Sequence, residues 1–179
     1  MIKKTPNSQL KASRPGIQDL TLKNRLPITV IADNIRSIYN VGSIFRSSDA
    51  AGIEKLILSG ITATPPHPQL AKTSLGAELS VSWEYHRDAL PLLESLKEQK
   101  IPLIALEHTN ESVDFQNFSY PFPLAVLIGN EVEGVSDSYL GYCQEAVEIP
   151  MAGLKQSLNV AVAYGIFVYE LRRQFLQRF

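Results

Sequence analysis

Near its C-terminal end the chain reads IPMAGLKQSLNVAVAYGIFVYEL, residues 149–171. Ser157 and Asn159 stand at the entrance to a long apolar run. A carboxamide buried there needs hydrogen-bonding partners, so Asn159 marks a point where polar groups from elsewhere converge. Ser157 has the ordinary alternative of capping the helix that follows. A second set lies in NIRSIYNVGSIFRSSDAAG, residues 34–52. On a helix, Val41, Ile44, Phe45 and Ser48 share one side, while Gly42, Ser43 and Arg46 turn the other way. Asn40 is a candidate N-cap and Gly52 a stop. Arg46 taken by itself reads as a plain surface arginine of an amphipathic helix. The third set is LIGNEVEGVS, residues 127–136. Gly129 would let a ligand approach the main chain, and Gly134 would permit a sharp turn. Glu131 is either a binding carboxylate or the cap of a helix that starts near Ser136.

Other chemistries lack their signatures. No G-x-G-x-x-G follows the first apolar run, which argues against a dinucleotide site. GNEVEGVS has the glycine spacing of a phosphate loop, but Val135 occupies the lysine position. There is no G-x-S-x-G nucleophile elbow. His67, His86 and His108 are scattered and do not form a metal-ligand pattern. The single cysteine, Cys143, leaves no intrachain disulfide and no cysteine-cluster metal site.

The elements that must position these residues alternate along the chain. Strands are expected at 27–33, 54–60, 101–107, 123–129 and 145–150, several without the clean alternation of a one-sided sheet. Helices are expected over 40–52, 87–100 and 157–178. Such alternation predicts an α/β fold, a mostly parallel sheet with helices on both faces. Ligands of these sheets sit beyond the carboxyl ends of the strands. Here those ends are Asp33, Glu107, Gly129 and Pro150, each opening a polar or small-residue loop.

The totals fit one domain: 179 residues, 45% hydrophobic and 20% charged, with no apolar run of membrane length. Residues 27–179 are expected to form it, behind a basic extension over 1–26. That extension carries Lys3, Lys4, Lys11, Arg14, Lys23 and Arg25 against Asp19, and lacks the apolar core of a secretory signal. The net charge is only −1, so any grip on nucleic acid must come from local basic ends. The expected compartment is the cytosol.

Taken together, the three stretches resemble the SpoU (TrmH-like) branch of the SPOUT RNA methyltransferases. Asn40, Gly42 and Arg46 match its first motif. Gly129, Glu131 and Gly134 match its second. Ile149, Pro150 and Met151, then Ser157, Leu158 and Asn159, match its third. KTSLGAEL and VSWEY, within 72–85, are similar to the tRNA-guanosine ribose methyltransferase subgroup. The resemblance spans residues 28–175. It implies a deep C-terminal trefoil knot over roughly 123–165, a homodimer, and S-adenosylmethionine held mainly by main-chain groups at Leu106, Gly129, Ile149, Met151 and Leu158. It implies methyl transfer to a ribose 2′-hydroxyl of structured RNA, tRNA ahead of rRNA, with no metal and no membrane. Arg46, Asn40, Glu131, Ser157 and Asn159 would form the catalytic set, with Arg46 acting as base, as phosphate clamp or through its field. A knotted RNA-binding protein without catalysis is the alternative. An enzyme acting on a small phosphorylated substrate is a more distant one.

Overall fold

The computed structural model describes residues 2–12, 16 and 25–178. Seven strands form one sheet in the order β3-β2-β1-β6-β4-β7-β5, and every pairing is parallel. They are β1 (Leu26–Asp33), β2 (Ile53–Ser59), β3 (Ser82–His86), β4 (Leu103–Leu106), β5 (Val113–Asp114), β6 (Leu124–Ile128) and β7 (Glu145–Glu148). The expected strands are present. β3 and β5 are additional, both at the sheet margins and only half-buried. All carboxyl ends point to one rim, so the loops after β1, β4, β6 and β7 meet there.

The helices are α1 (Asn7–Ala12), α2 (Ile38–Ala51), α3 (Pro68–Ser74), α4 (Ala77–Ser80), α5 (Leu90–Glu98), α6 (Asp137–Leu140) and α7 (Val160–Arg178). α1 falls in the expected basic extension; Arg14 and Lys23 of that extension lie outside the described residues. One face of the sheet packs against α2 and α7 through Val41, Ile44, Phe45, Tyr164, Phe167 and Leu171. The other packs α5 through Leu93 and Leu96, with Tyr139 and Leu140 of α6 beside them. The strand cores Val30–Ala32 and Leu124–Ile128 are buried on both faces, which is why they read as continuous apolar runs.

Three helix expectations need correction. Asn40 does not cap α2: Ser37 does, its hydroxyl accepting from the Asn40 N–H, while Gly52 ends the helix at φ 76°. Gly42 does not turn to solvent. A Cβ there would lie 1.8 Å from Thr73 Oγ1 and 2.9 Å from the Leu70 carbonyl, so the glycine lets α3 pack directly on α2. The last helix starts at Val160 rather than 157.

α2 and α7 run side by side in the same direction. Asn40 meets Asn159, the Ser48 hydroxyl lies 2.8 Å from the Tyr164 hydroxyl, and Arg172 donates to the Ala51 carbonyl at 2.9 Å. Burial holds the Tyr164 phenol protonated, well above its ordinary value. Losing one partner of a buried hydroxyl pair leaves the other unsatisfied, whereas losing both removes the penalty. Tyr164→Phe should therefore lower stability by about 1–2 kcal/mol. The Ser48→Ala/Tyr164→Phe double variant should be less destabilised than the sum of the singles, as read from urea midpoints.

Candidate active site

The β1–α2, β6–α6 and β7–α7 loops are tied by one hydrogen-bonded chain. Asn159 Oδ1 accepts from the N–H groups of Ala161 (2.9 Å) and Val162 (3.3 Å), capping α7. That fixes its Nδ2 to point away, and it donates to Asn40 Oδ1 at 3.0 Å. Asn40 is thereby oriented as well, and its Nδ2 donates to Glu131 Oε1 at 2.8 Å. Glu131 also accepts from the N–H groups of Arg36 (2.8 Å) and Ser37 (3.0 Å). Each amide's two ends are assigned by partners of opposite kind. The carboxylate sits at the N-terminal end of α2, where negative charge is stabilised.

These contacts reassign several sequence readings. Asn159, not Ser157, is the N-cap, and it is exposed although fully partnered. Glu131 serves the start of α2 rather than a helix near Ser136. The missing Cβ of Gly129 serves the chain itself: a Cβ there would lie 2.3 Å from the carbonyl of Gly134 and 2.4 Å from the Val135 nitrogen. The space is filled by the chain's own turn. Gly134 does make that turn, at φ 70°.

Burial raises the affinity of Glu131 for a proton, but the donors from Arg36, Asn40 and Ser37 outweigh it and hold the carboxyl below its ordinary value of 4.5. A depressed pKa contributes stability that is complete above the unfolded value and is lost as pH falls through the folded one. Glu131→Gln should cost about 1–3 kcal/mol near neutral pH, because one amide oxygen cannot serve both main-chain donors. The gap to wild type should close as the pH is taken below 4.5 in acid titrations of stability.

Beside this junction lies a cavity of about 790 Å3, inside the ~300–1,000 Å3 range of small-molecule sites. Leu106, Gly129, Ile149, Met151, Ser157 and Leu158 are among its walls, so the expected cofactor residues converge on one space. Among the described residues, nothing in 151–158 makes a hydrogen bond within the chain. Their N–H and C=O groups are free to meet a ligand. Ser157 brings an unpaired hydroxyl to the same wall.

Arg46 stands apart. It is exposed on α2 in the row of Tyr39 and Ser43, makes no hydrogen bond or ion pair among the described residues, and does not line the cavity of its own chain. It sits six residues beyond Asn40, about 9 Å along the helix axis.

Two supports escaped the sequence reading. Glu107, seen there only as a polar strand end, accepts from Val135 N–H at 2.8 Å and from His108 N–H at 2.9 Å, bracing the Gly134 turn against β4. Asn130 shapes the turn with its Oδ1, which accepts from Val132 and Glu133, and donates to the Asn34 carbonyl at 2.8 Å. An asparagine followed by a glycine four residues on is the signal that could have found it. Burial pushes the Cys143 thiol up to about 12, which favours its protonated form.

Comparison with known proteins converges on one family. The model described as the SpoU rRNA Methylase family matches residues 27–169. A tRNA (guanosine(18)-2′-O)-methyltransferase of Thermus thermophilus is 32% identical over 167 residues, covering 93% of this chain and 85% of the relative. Among solved structures, the TrmH/SpoU tRNA modifying enzyme of A. aeolicus aligns with a TM-score of 0.82 at 29% identity, over 96% of this chain and 85% of its own. The SpoU methyltransferase AviRb of Streptomyces viridochromogenes, in complex with the cofactor AdoMet, aligns with a TM-score of 0.78 at 31% identity. This chain covers 62% of AviRb, and 86% of this chain is matched.

Proposed function

The chain belongs to the SpoU rRNA methylase family, and we propose that it is an S-adenosylmethionine-dependent methyltransferase acting on a ribose 2′-hydroxyl of tRNA in the cytosol. The observation that carries this is the Asn159–Asn40–Glu131 junction set against the cavity whose 151–158 wall keeps its main chain free. The tRNA assignment follows the activity named for the Thermus relative.

When bound, S-adenosylmethionine supplies a methyl group already activated by its sulfonium. Its fit rests on the free main-chain groups of 151–158 and on the apolar surface of Leu106, Ile149 and Leu158. The protein's task is then placement of the hydroxyl in line with the methyl. Arg46 holds the adjoining phosphate and lowers the pKa of the hydroxyl through its positive field, so that the hydroxyl proton passes to water; a guanidinium keeps its own protons. Asn40, Glu131 and Asn159 act as positioning residues that fix the start of α2 against the cavity. The Ser157 hydroxyl faces the reacting groups from the cavity wall.

Arg46 does not line the cavity of its own chain; it serves the cavity of a second copy in a homodimer. Supporting this, Val162, Ile166 and Tyr169 leave an exposed apolar stripe along α7, next to the junction. The family reading also places a trefoil knot over 123–165, in keeping with β4 lying between β6 and β7. It makes 27–179 one catalytic domain behind the extension 1–26.

Labelled S-adenosylmethionine, incubated with the protein and unmodified tRNA and digested to nucleosides, should yield a 2′-O-methylnucleoside. Calorimetry that finds no S-adenosylmethionine binding would sink the proposal and leave a non-catalytic RNA-binding protein.

A further inference from the structure

A second cavity of about 430 Å3 opens on the same rim, lined by Asp33, Asn34, Arg36, Ile61 and Glu133 among others. We infer that it seats a guanine base of the RNA substrate, read by Arg36 and Glu133; the inference rests on the methyltransferase reading above. Its position is the first argument. β1 and β6 are neighbours, yet the chain leaves β1 through α2 toward β2 on one side and leaves β6 through α6 toward β7 on the other. α2 and α6 lie against opposite faces of the sheet. The cavity therefore occupies the point where the connections diverge, which is where open parallel sheets bind ligands.

The second argument is adjacency. Asn130, Val132 and Gly134 line this cavity and the larger one alike. A base seated here lies against the turn that walls the methyl-donor cavity, with its ribose directed toward that turn.

The third argument is donor and acceptor chemistry. Arg36 and Glu133 line one cavity, and neither side chain makes an ion pair or hydrogen bond among the described residues. Arg36 uses only its main-chain N–H, on Glu131. Opposite charges that share a cavity without pairing offer donors on one side and acceptors on the other. Guanine presents O6 and N7 as adjacent acceptors, which suit a guanidinium. Its N1–H and N2–H groups are adjacent donors, which suit a carboxylate. Adenine places a donor, N6, beside N7 and so mismatches the arginine. Asp33 is buried beneath, holding Ser59 Oγ at 2.5 Å and Asn34 Nδ2 at 2.8 Å, and adds negative potential to the floor. Ile61 and Val132, both exposed, supply apolar walls for the base faces.

The test uses the full chain, 15N-labelled, titrated with guanosine 5′-monophosphate, adenosine 5′-monophosphate and ribose 5-phosphate, with S-adenosylmethionine affinity measured in parallel by calorimetry. Guanosine monophosphate should shift the amides of Asn34, Ile61, Val132 and Glu133, and bind at least about tenfold tighter than the adenosine nucleotide. Glu133→Gln should reduce that preference to about twofold or less while S-adenosylmethionine affinity stays unchanged. Equal shifts with ribose 5-phosphate would show an anion site on Arg36 and overturn the inference. So would equal affinity for the two nucleotides, or no shift at these amides by about 10 mM. With S-adenosylmethionine binding intact, those results sink the base site alone; if wild type fails to bind S-adenosylmethionine, the methyltransferase reading falls and takes the base site with it.

Discussion

Arg46→Ala should abolish methyl transfer while leaving the fold and the affinity for S-adenosylmethionine unchanged. Arg46 is exposed and makes no hydrogen bond or ion pair among the described residues, so the change in stability should stay within about 0.5 kcal/mol. It does not line the cavity of its own chain, so calorimetric titration with the methyl donor should give the wild-type dissociation constant. Removing a cation that stabilises charge on the reacting oxygen costs about 10²–10³ in kcat. Arg46→Lys should rescue little, because an ammonium lacks the planar fork that grips a phosphate. The subunit arrangement gives a sharper version of the test. In the proposed homodimer, Arg46→Ala and Asn159→Ala would damage different halves of a site that two chains share. Mixed and allowed to exchange, the two inactive variants should recover roughly a quarter of wild-type activity, since half the dimers carry one intact site. Wild-type rates for Arg46→Ala would end the proposed role. No recovery on mixing would place Arg46 with its own chain's cavity.

Gly129→Ala should be the most damaging single methyl group in the catalytic region. The new carbon would lie 2.3 Å from the carbonyl carbon and oxygen of Gly134 and 2.4 Å from the Val135 nitrogen. These are main-chain atoms, so no rotamer change can relieve the clash. The turn would have to move as a unit. It is closed by the reciprocal Asn130–Gly134 pair, at 3.0 and 2.9 Å, and tethered by Val135 N–H to Glu107. Overpacking of this kind costs about 1–3 kcal/mol. Displacing the turn also distorts the cavity wall that it forms, so S-adenosylmethionine affinity should fall by at least about tenfold. Thermal melts and calorimetry on the same preparation check both parts. Unchanged values in both would mean that the turn is soft and does not shape the cavity.

The sequence made the site more legible than its geometry. Asn159 was visible as a polar residue out of place, Asn40 as a candidate N-cap and Glu131 as a binding or capping carboxylate. Nothing in their spacing says that side chains 91 and 119 residues apart in sequence touch each other. The strands were readable because β1 and β6 are buried on both faces. β3 and β5 were not, because half-burial at the margins of a sheet leaves a weak pattern. The polarity of Gly42 was misjudged for a related reason: a glycine has no side chain to signal burial, and only the presence of α3 at Thr73 reveals what its missing Cβ makes possible. Gly129 has a second reason for its smallness that the sequence did not show: residues 134–135 fill the place of its Cβ, while the residue itself walls the cavity. Ser157 and Asn159 are both good caps by type, and the choice between them depends on where the loop lands. The exposure of Arg46 on α2 followed from helical periodicity, but periodicity is silent about the second subunit that the proposed function calls for.

The dual role of Asn159 carries a thermodynamic corollary. Its Oδ1 stabilises the opening turn of α7, and the same residue borders the segment 151–158 that a ligand would order. Val162 and Ile166, at the start of the stripe proposed to join two subunits, lie within that opening turn and the next. Where ordering of the segment and pairing of the subunits both favour a formed opening turn, each strengthens the other, and by reciprocity the factor is the same in both directions. Dilution should weaken methyl-donor affinity, and saturation with the donor should lower the concentration at which the chains separate.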